Sequence, residues 1–402
     1  MSEQVVDLLQ DLANERQEYE LEIQRENVAR AKEELRKRRQ NILRSADVAN
    51  SANKKQKVII PEDPKAQYNY ILEHNQIKDS TCSSSRSGYV SYQPNDLDLD
   101  WLPEELNSVY STKDALKCLS MVERHSVKSL ADRSIKNIVR HILEYHAFPQ
   151  LSISDARLQK LSEMTVIVQF WSYLFDQYFR CNTSILIQWG DTVPKACLDL
   201  DITLKMDLRV IVDADDEMLD LGNAEVASVR TSTFRKCLKD KLKCCIAAKC
   251  CLNFILSKYN IPAKTIPKIV IPLIHVMGLH VRVYGFHMAA KSKYDLFNLC
   301  DFSFPRRFND ISEGKIQHIF WGLESIDNTV QRTVDIIKSA GRSTKSPFTT
   351  TPSRQKTPPI WTTSVYWPFK KEECDNDDLH TDTPEEDIGS EQELEDSEQE
   401  LA

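Results

Sequence analysis

The residues whose types and spacing could do chemistry are two carboxylates and a set of lysines. Asp207 lies in Leu204 to Asp213 and Glu225 in Met218 to Ala227, two apolar-rich stretches that alternate like strands. Period-2 alternation puts Met206, Leu208, Val210 and Val212 on one face of the first, with Asp207, Arg209 and Ile211 on the other. In the second, Leu219, Leu221, Asn223, Glu225 and Ala227 share a face, so Glu225 could stand beside Asp207 on an adjacent strand. Two carboxylates so placed can hold one divalent cation, and such an ion activates water against a phosphodiester. The bland alternative is that Asp207 pairs with Arg209 or a nearby lysine while Glu225 is an ordinary half-exposed strand residue. The turn Asp213-Ala214-Asp215-Asp216-Glu217 between the strands lacks the Gly and terminal Glu of a calcium loop and reads as a solvated hairpin.

Elements on either side must position these groups. Leu158 to Arg180 reads as a helix with a thick apolar face of Val166, Phe170, Trp171, Leu174 and Phe175, followed by a short strand from Ile185 to Trp189. After the two carboxylate strands, Thr233 to Tyr259 is a long helix stopped by Pro262. Then Lys268 to Val276, His280 to Met288 and Lys293 to Phe304 alternate like strands, before a final helix from Lys315 to Ala340. The expected class is α/β, a mixed sheet with flanking helices spanning 151–340.

The helix–strand–strand–strand–helix order, with an Asp on the second strand and a Glu on the third, resembles the PD-(D/E)XK nuclease-like core. Gln188-Trp189-Gly190-Asp191-Thr192, Met206-Asp207-Leu208-Arg209 and Asn223-Ala224-Glu225-Val226-Ala227 also resemble an uncharacterised group of fungal proteins with a divergent form of that core. The resemblance covers roughly Leu158 to Ala340 and implies a restriction-endonuclease-like fold. It also implies metal binding by Asp207 and Glu225, with Glu163 as the helix-borne acid of many members and Mg²⁺ or Mn²⁺ as cofactor if the site is active. The departure is Ala227, which stands where the family pattern has a Lys. Losing one preorganised charge costs on the order of 10²–10³ in rate, enough to leave a binding fold. Some members supply the lysine from the following helix, where Lys236, Lys239, Lys241 and Lys243 are available; the catalytic candidates carried forward are Lys241 and Lys243. For each lysine the alternative is the solvated face of an amphipathic helix.

Outside this domain, Val5 to Arg44 lacks Gly and Pro and repeats Leu21, Val28, Leu35 and Ile42 every seven residues, so 1–45 is expected to be a helical, weakly coiled-coil segment. The clusters Arg36, Lys37, Arg38, Arg39 and Lys54, Lys55, Lys57 suit nuclear import or phosphate contact, or are ordinary charged chain. Residues 46–100 read as a disordered polar linker and 101–150 as a helical extension, with Ile135, Ile138, Val139, Ile142 and Leu143 on one face. The segment 341–402 reads as a disordered tail, Ser/Thr/Pro-rich and then acidic, with phosphorylation candidates at Ser346, Thr351, Thr357, Ser390 and Ser397. Trp361, Tyr366, Trp367 and Phe369 are unusually aromatic for such a tail and could dock back onto the domain.

Composition sets the outer limits. Glycine is scarce, 9 of 402 residues, so collagen-like sequence and the Gly-rich phosphate loops of nucleotide enzymes are absent. The net charge of −8 hides a split: Glu372 to Ala402 holds 15 Asp and Glu and no Lys or Arg, leaving a body with 52 Lys and Arg against 45 Asp and Glu. Such a body can bind polyanions, DNA or RNA, and the acidic end can compete with them or recruit a basic protein. Eleven cysteines in no zinc or redox spacing read as reduced core residues. No apolar run approaches the ~20 residues of a membrane span, so a nuclear or nucleocytoplasmic protein without membrane partners is expected. Three readings follow. The first is a nuclease-like domain with lost or weak catalysis that binds nucleic acid or a nuclear protein partner; the others are an active metal-dependent nuclease with a relocated lysine, and a coiled-coil scaffold that binds no nucleic acid.

Overall fold

The computed structural model describes residues 60–81, 99–182, 184–214, 217–341 and 361–369. The chain divides into two units, Met1–Ile60 and Pro61–Ala402, and every element below belongs to the second. The expected helix of 1–45, both basic clusters and all five candidate phosphorylation residues lie outside the described residues.

One mixed sheet carries the fold. Its strands are β1 (Ile77–Asp79), β2 (Ile185–Thr192), β3 (Met206–Ala214), β4 (Glu217–Ala227), β5 (Val270–Met277), β6 (His280–Ala290) and β7 (Lys293–Ser303), in the order β1-β7-β6-β5-β4-β3-β2. The hairpins β2–β3, β3–β4, β5–β6 and β6–β7 are antiparallel, whereas β4–β5 and β1–β7 are parallel. A parallel neighbour cannot be reached through a tight turn, and the chain crosses from β4 to β5 through a long helix. β3 follows its alternation over Met206, Leu208, Val210 and Val212, which are buried in the core, whereas β4 is buried on both faces from Leu219 to Ala227 and its register with β3 shifts between Asp220 and Gly222, so Leu219 does not share the face of Glu225. Gly278 closes the β5–β6 hairpin in the left-handed region, φ 59°.

Helices cover both faces. The longer ones, in chain order, are α1 (Pro64–His74), α2 (Thr112–Arg124), α3 (Leu130–Ala147), α4, α5 (Phe234–Lys258) and α6 (Lys315–Ala340). α4 starts as Glu163–Val166, passes through a π-helical turn at Ile167–Trp171 and continues as Ser172–Phe179. Side-chain caps start several of them: Ser111, Ser129, Ser162 and Thr233 each accept from a backbone N–H in the first turn. α5 packs across β4 and β5 with α1 beside it, while α6 crosses the other face and α3 lies on α4. The residues of 101–150 share the core of the sheet domain, with Ile138, Val139, Ile142 and Leu143 fully buried. No described helix is long and apolar enough to cross a membrane.

Two expectations need correction. Part of the supposed linker 46–100 is folded: Asp63 caps α1 by accepting from Ala66 N, Tyr68, Ile71 and Leu72 are buried, and β1 adds an edge strand to β7. A short i, i+3, i+4 stripe inside polar sequence suffices because α5 and β7 supply the rest of its core. Part of the supposed disordered tail is also docked. Trp361, Val365, Tyr366, Trp367 and Phe369 pack on the core, and backbone groups of 361–366 bond to Asn75, Lys249, Asn253, Ser292 and Tyr294. The aromatic content that looked odd for a solvated tail is thereby partly buried.

Candidate functional site

The site grows from the parallel junction of β4 and β5. Cross-strand register puts Leu208 opposite Ala224 and Arg209 opposite Asn223, so Asp207 and Glu225 fall at the same level of the sheet on the face that α5 covers. Asp207 Oδ2 accepts from the backbone N–H of Val226 at 2.7 Å, which fixes the carboxylate against the end of β4. It does not pair with Arg209, whose Nε instead meets Asp220 at 2.6 Å. Glu225 is 2% exposed and Lys243 Nζ donates to its Oε2 at 2.7 Å, while its Oε1 is buried with no hydrogen-bond partner.

Around this pair lie the other acids. Glu163, at the first turn of α4, accepts from Thr231 Oγ1 at 2.8 Å and meets Lys236 Nζ at 3.3 Å. Lys236 Nζ also lies 3.5 Å from Oδ2 of Asp240, one turn along α5, and Asp240 is buried. Glu163, Asp207, Glu225 and Asp240 interact with one another and with Lys236 and Lys243. Four carboxyl groups face two ammonium groups, so the acids outnumber the cations that could neutralise them.

Burial, more than charge, sets the protonation behaviour. Burial pushes the Asp207 carboxyl up to about 6, with the Val226 N–H and Lys243 pulling the other way and Glu163 adding to the rise. Burial, with the charges of Asp207 and Asp240, holds Glu225 well above the usual carboxylate range despite Lys243, and Asp240 is raised by burial in the same way. Burial works against the charge on Lys243, but Glu225, Asp240 and Asp207 outweigh it, so its ammonium is held more firmly than usual. The carboxyl shifts report chiefly a dry site, and the Lys243 shift reports the carboxylates around it.

Of the sequence-derived candidates, Asp207, Glu225, Glu163 and Lys243 come together. Lys241 does not: its Nζ donates to Asp79 Oδ2 and to Thr81 Oγ1, each at 2.8 Å, and lies 4.6 Å from the Tyr284 ring centre. Residues two apart on a helix diverge by about 200°, so one lysine reaches β4 and the other the β1 side of the sheet. Asp240 was missed by sequence reasoning, although its i+4 spacing from Lys236 was there to read. So was His275, 3% exposed with Nε2 unbonded, which sits opposite Glu225 in the β4–β5 register.

Among the described residues no three of His, Cys, Asp and Glu converge closely enough to hold a metal ion between them. Two carboxylates remain a workable set for Mg²⁺, which keeps several waters and takes one or two protein carboxylates. The buried Oε1 of Glu225, which has no hydrogen-bond partner, fits such an ion. No protein-family model, curated protein or solved structure matches this chain.

Proposed function

We propose that this protein is a metal-dependent phosphodiesterase of the PD-(D/E)XK nuclease type, with Lys243 of α5 in place of the lysine absent at Ala227. The observation that carries the reading is the 2.7 Å contact between Lys243 Nζ and Glu225, in a site that also holds Asp207. The order α4, β2, β3, β4, α5, β5, with Asp207 on the second of three antiparallel strands and Glu225 on the third, supports it.

Asp207 and Glu225 would hold the ion, which supplies Lewis-acid charge and water activation to phosphodiester hydrolysis. Lys243 remains cationic against the carboxylates and can turn from Glu225 to a phosphate oxygen, stabilising charge that grows there in the transition state. Lys236, with its side chain 23% exposed, places a second cation between Glu163 and Asp240. Glu163, held by Thr231, keeps its carboxylate at the open side of the cluster, where it can orient an attacking water.

One observation favours a second reading, binding without cleavage: Glu225 is almost wholly buried and already neutralised by Lys243, as in an ion pair that only stabilises a fold. Cleavage of single- and double-stranded DNA and RNA by the full chain in Mg²⁺ or Mn²⁺ separates the two. Activity lost in Asp207→Asn and in Lys243→Gln is expected. A silent parent that Ala227→Lys awakens would assign a decayed site, and silence in every variant, all folded, would overturn the enzymatic reading.

A further inference from the structure

Taking the carboxylate cluster as a phosphodiester site, we infer that it acts on single-stranded nucleic acid, with Phe234 as the platform on which an unpaired base stacks. The connection from β4 to α5 runs Ser228-Val229-Arg230-Thr231-Ser232-Thr233, and Phe234 opens the helix. Thr231 bonds Glu163 at 2.8 Å, so this connection is fastened to the rim of the site. Within the same turn Ser228 and Thr231 bond each other at 3.0 Å, and Thr233 caps α5 by accepting from Lys236 N, which fixes the backbone that presents Phe234.

Phe234 is 68% exposed, the most exposed of the large apolar side chains among the described residues. Met164 and Val168, each 60% exposed, lie on α4, Met164 directly after Glu163. Apolar side chains left in water therefore gather at the two segments that Thr231 and Glu163 join. An apolar patch alone would suit many partners, but the charge here selects one. Arg230 and Arg235 flank Phe234 in sequence and are both exposed, and Lys236 follows. Across the sheet, Arg282 is exposed and stands in register with His275, which itself pairs with Glu225.

Exposed aromatic, flanking arginines and a neighbouring phosphodiester site match the two needs of a single strand: a face for bases and cations for the backbone. A duplex hides its base faces and offers nothing for Phe234 to stack on, so the arrangement discriminates by strandedness. The sugar is not specified by these contacts, and DNA and RNA are separate arms of the test.

The experiment is fluorescence anisotropy of the full chain with labelled oligo-dT, oligo-U and a mixed-sequence DNA duplex, in EDTA so that no strand is cut. Single strands are expected to bind more tightly than the duplex. Phe234→Ala should weaken single-strand binding about ten-fold or more and leave the duplex unaffected, while Phe234→Trp should restore it, with indole fluorescence quenched on binding. Arg230→Ala and Arg235→Ala should each lower the salt dependence by about one ion. Unchanged single-strand affinity in Phe234→Ala, a preference for duplex, or no binding of any oligonucleotide would overturn the inference. Cleavage in Mg²⁺ is scored in parallel: Phe234-dependent binding without cleavage would fail the enzymatic reading alone. Cleavage indifferent to Phe234→Ala would fail this inference alone.

Discussion

At the scale of single residues, the site rests on which lysine meets which carboxylate. Lys243 lies on Glu225 and Lys241 on Asp79, so their substitutions should separate. On the proposed phosphodiesterase reading, Lys243→Gln is expected to cut the cleavage rate by about 10²–10³ and, by leaving Glu225 buried without its cation, to lower stability by roughly 3–5 kcal/mol in denaturant titration. Lys241→Gln should destabilise the fold without a comparable loss of rate per folded molecule; equal losses of rate in both variants would undo the assignment. The face of Asp207 was legible in the sequence because period-2 alternation depends only on local geometry, whereas in β4 the register shift between Asp220 and Gly222 breaks the period, and the level of Glu225 beside Asp207 rests on the pairing of Asn223 and Ala224 with β3. The choice among four lysines was not legible, because it depends on where α5 crosses the sheet. Asp240 stayed hidden for a related reason, since an acid inside a lysine-rich stretch reads as surface until the sheet beneath it is known. His275 is a separate case: it was read only as part of an apolar strand. With Lys241, Arg282 and Lys236 nearby, burial lowers its imidazole from 6.5 to about 4. It is neutral in the fold while the unfolded chain takes up a proton below 6.5, so its contribution to stability is present above that pH and is lost as pH falls towards 4. Asp207, raised from 3.8 to about 6, has the opposite sign, holding a proton in the fold that the unfolded chain has released. His275→Gln should therefore lose less stability than the parent between pH 6.5 and 4, read by chemical denaturation at each pH.

At the scale of elements, two packing arrangements hold the sheet and its cover in register. On α6, Gly322 faces Phe302 of β7 so closely that an added Cβ would lie 2.1 Å from the ring. Alanine gains about 1 kcal/mol of helix propensity there, but crowding a buried ring costs about 1–3 kcal/mol, so Gly322→Ala is expected to lower the melting temperature. A rise would mean that the ring can move aside. On the opposite face, Lys249 is fully buried and its ammonium donates to Asn75 O, Asn75 Oδ1 and the Ser364 carbonyl, 5.1 Å from the Tyr294 ring centre. These three acceptors use every proton of the group and tie α1, α5 and 361–369 together. Lys249→Met should raise hydrogen exchange selectively at 361–369 and at the end of α1. Unchanged exchange would show that the aromatic side chains alone hold that segment. The long helices and strands of the main domain could be read from periodicity. α1, β1 and 361–369 could not, since each is too short to show its pattern and is stabilised by contacts with distant parts of the chain.

At the scale of the whole molecule, the sheet domain begins well before the region that sequence patterning suggested. Removal of 1–100 would take away Asp79 and Asn75, the partners of Lys241 and Lys249, and expose the edge of β7. Such a fragment should be less stable and more prone to associate than the full chain, by denaturation and sedimentation, whereas equal behaviour would make α1 and β1 dispensable. The chemistry proposed for the molecule depends on whether its carboxylate cluster holds a cation. Calorimetric titration of Mn²⁺ into the full chain is the direct measurement. One saturable site is expected, with protons released on binding near pH 6 because Asp207 and Glu225 are held above their ordinary range, and with binding lost in Asp207→Asn. No saturable binding by the folded parent, or binding that survives Asp207→Asn unchanged, would contradict the account.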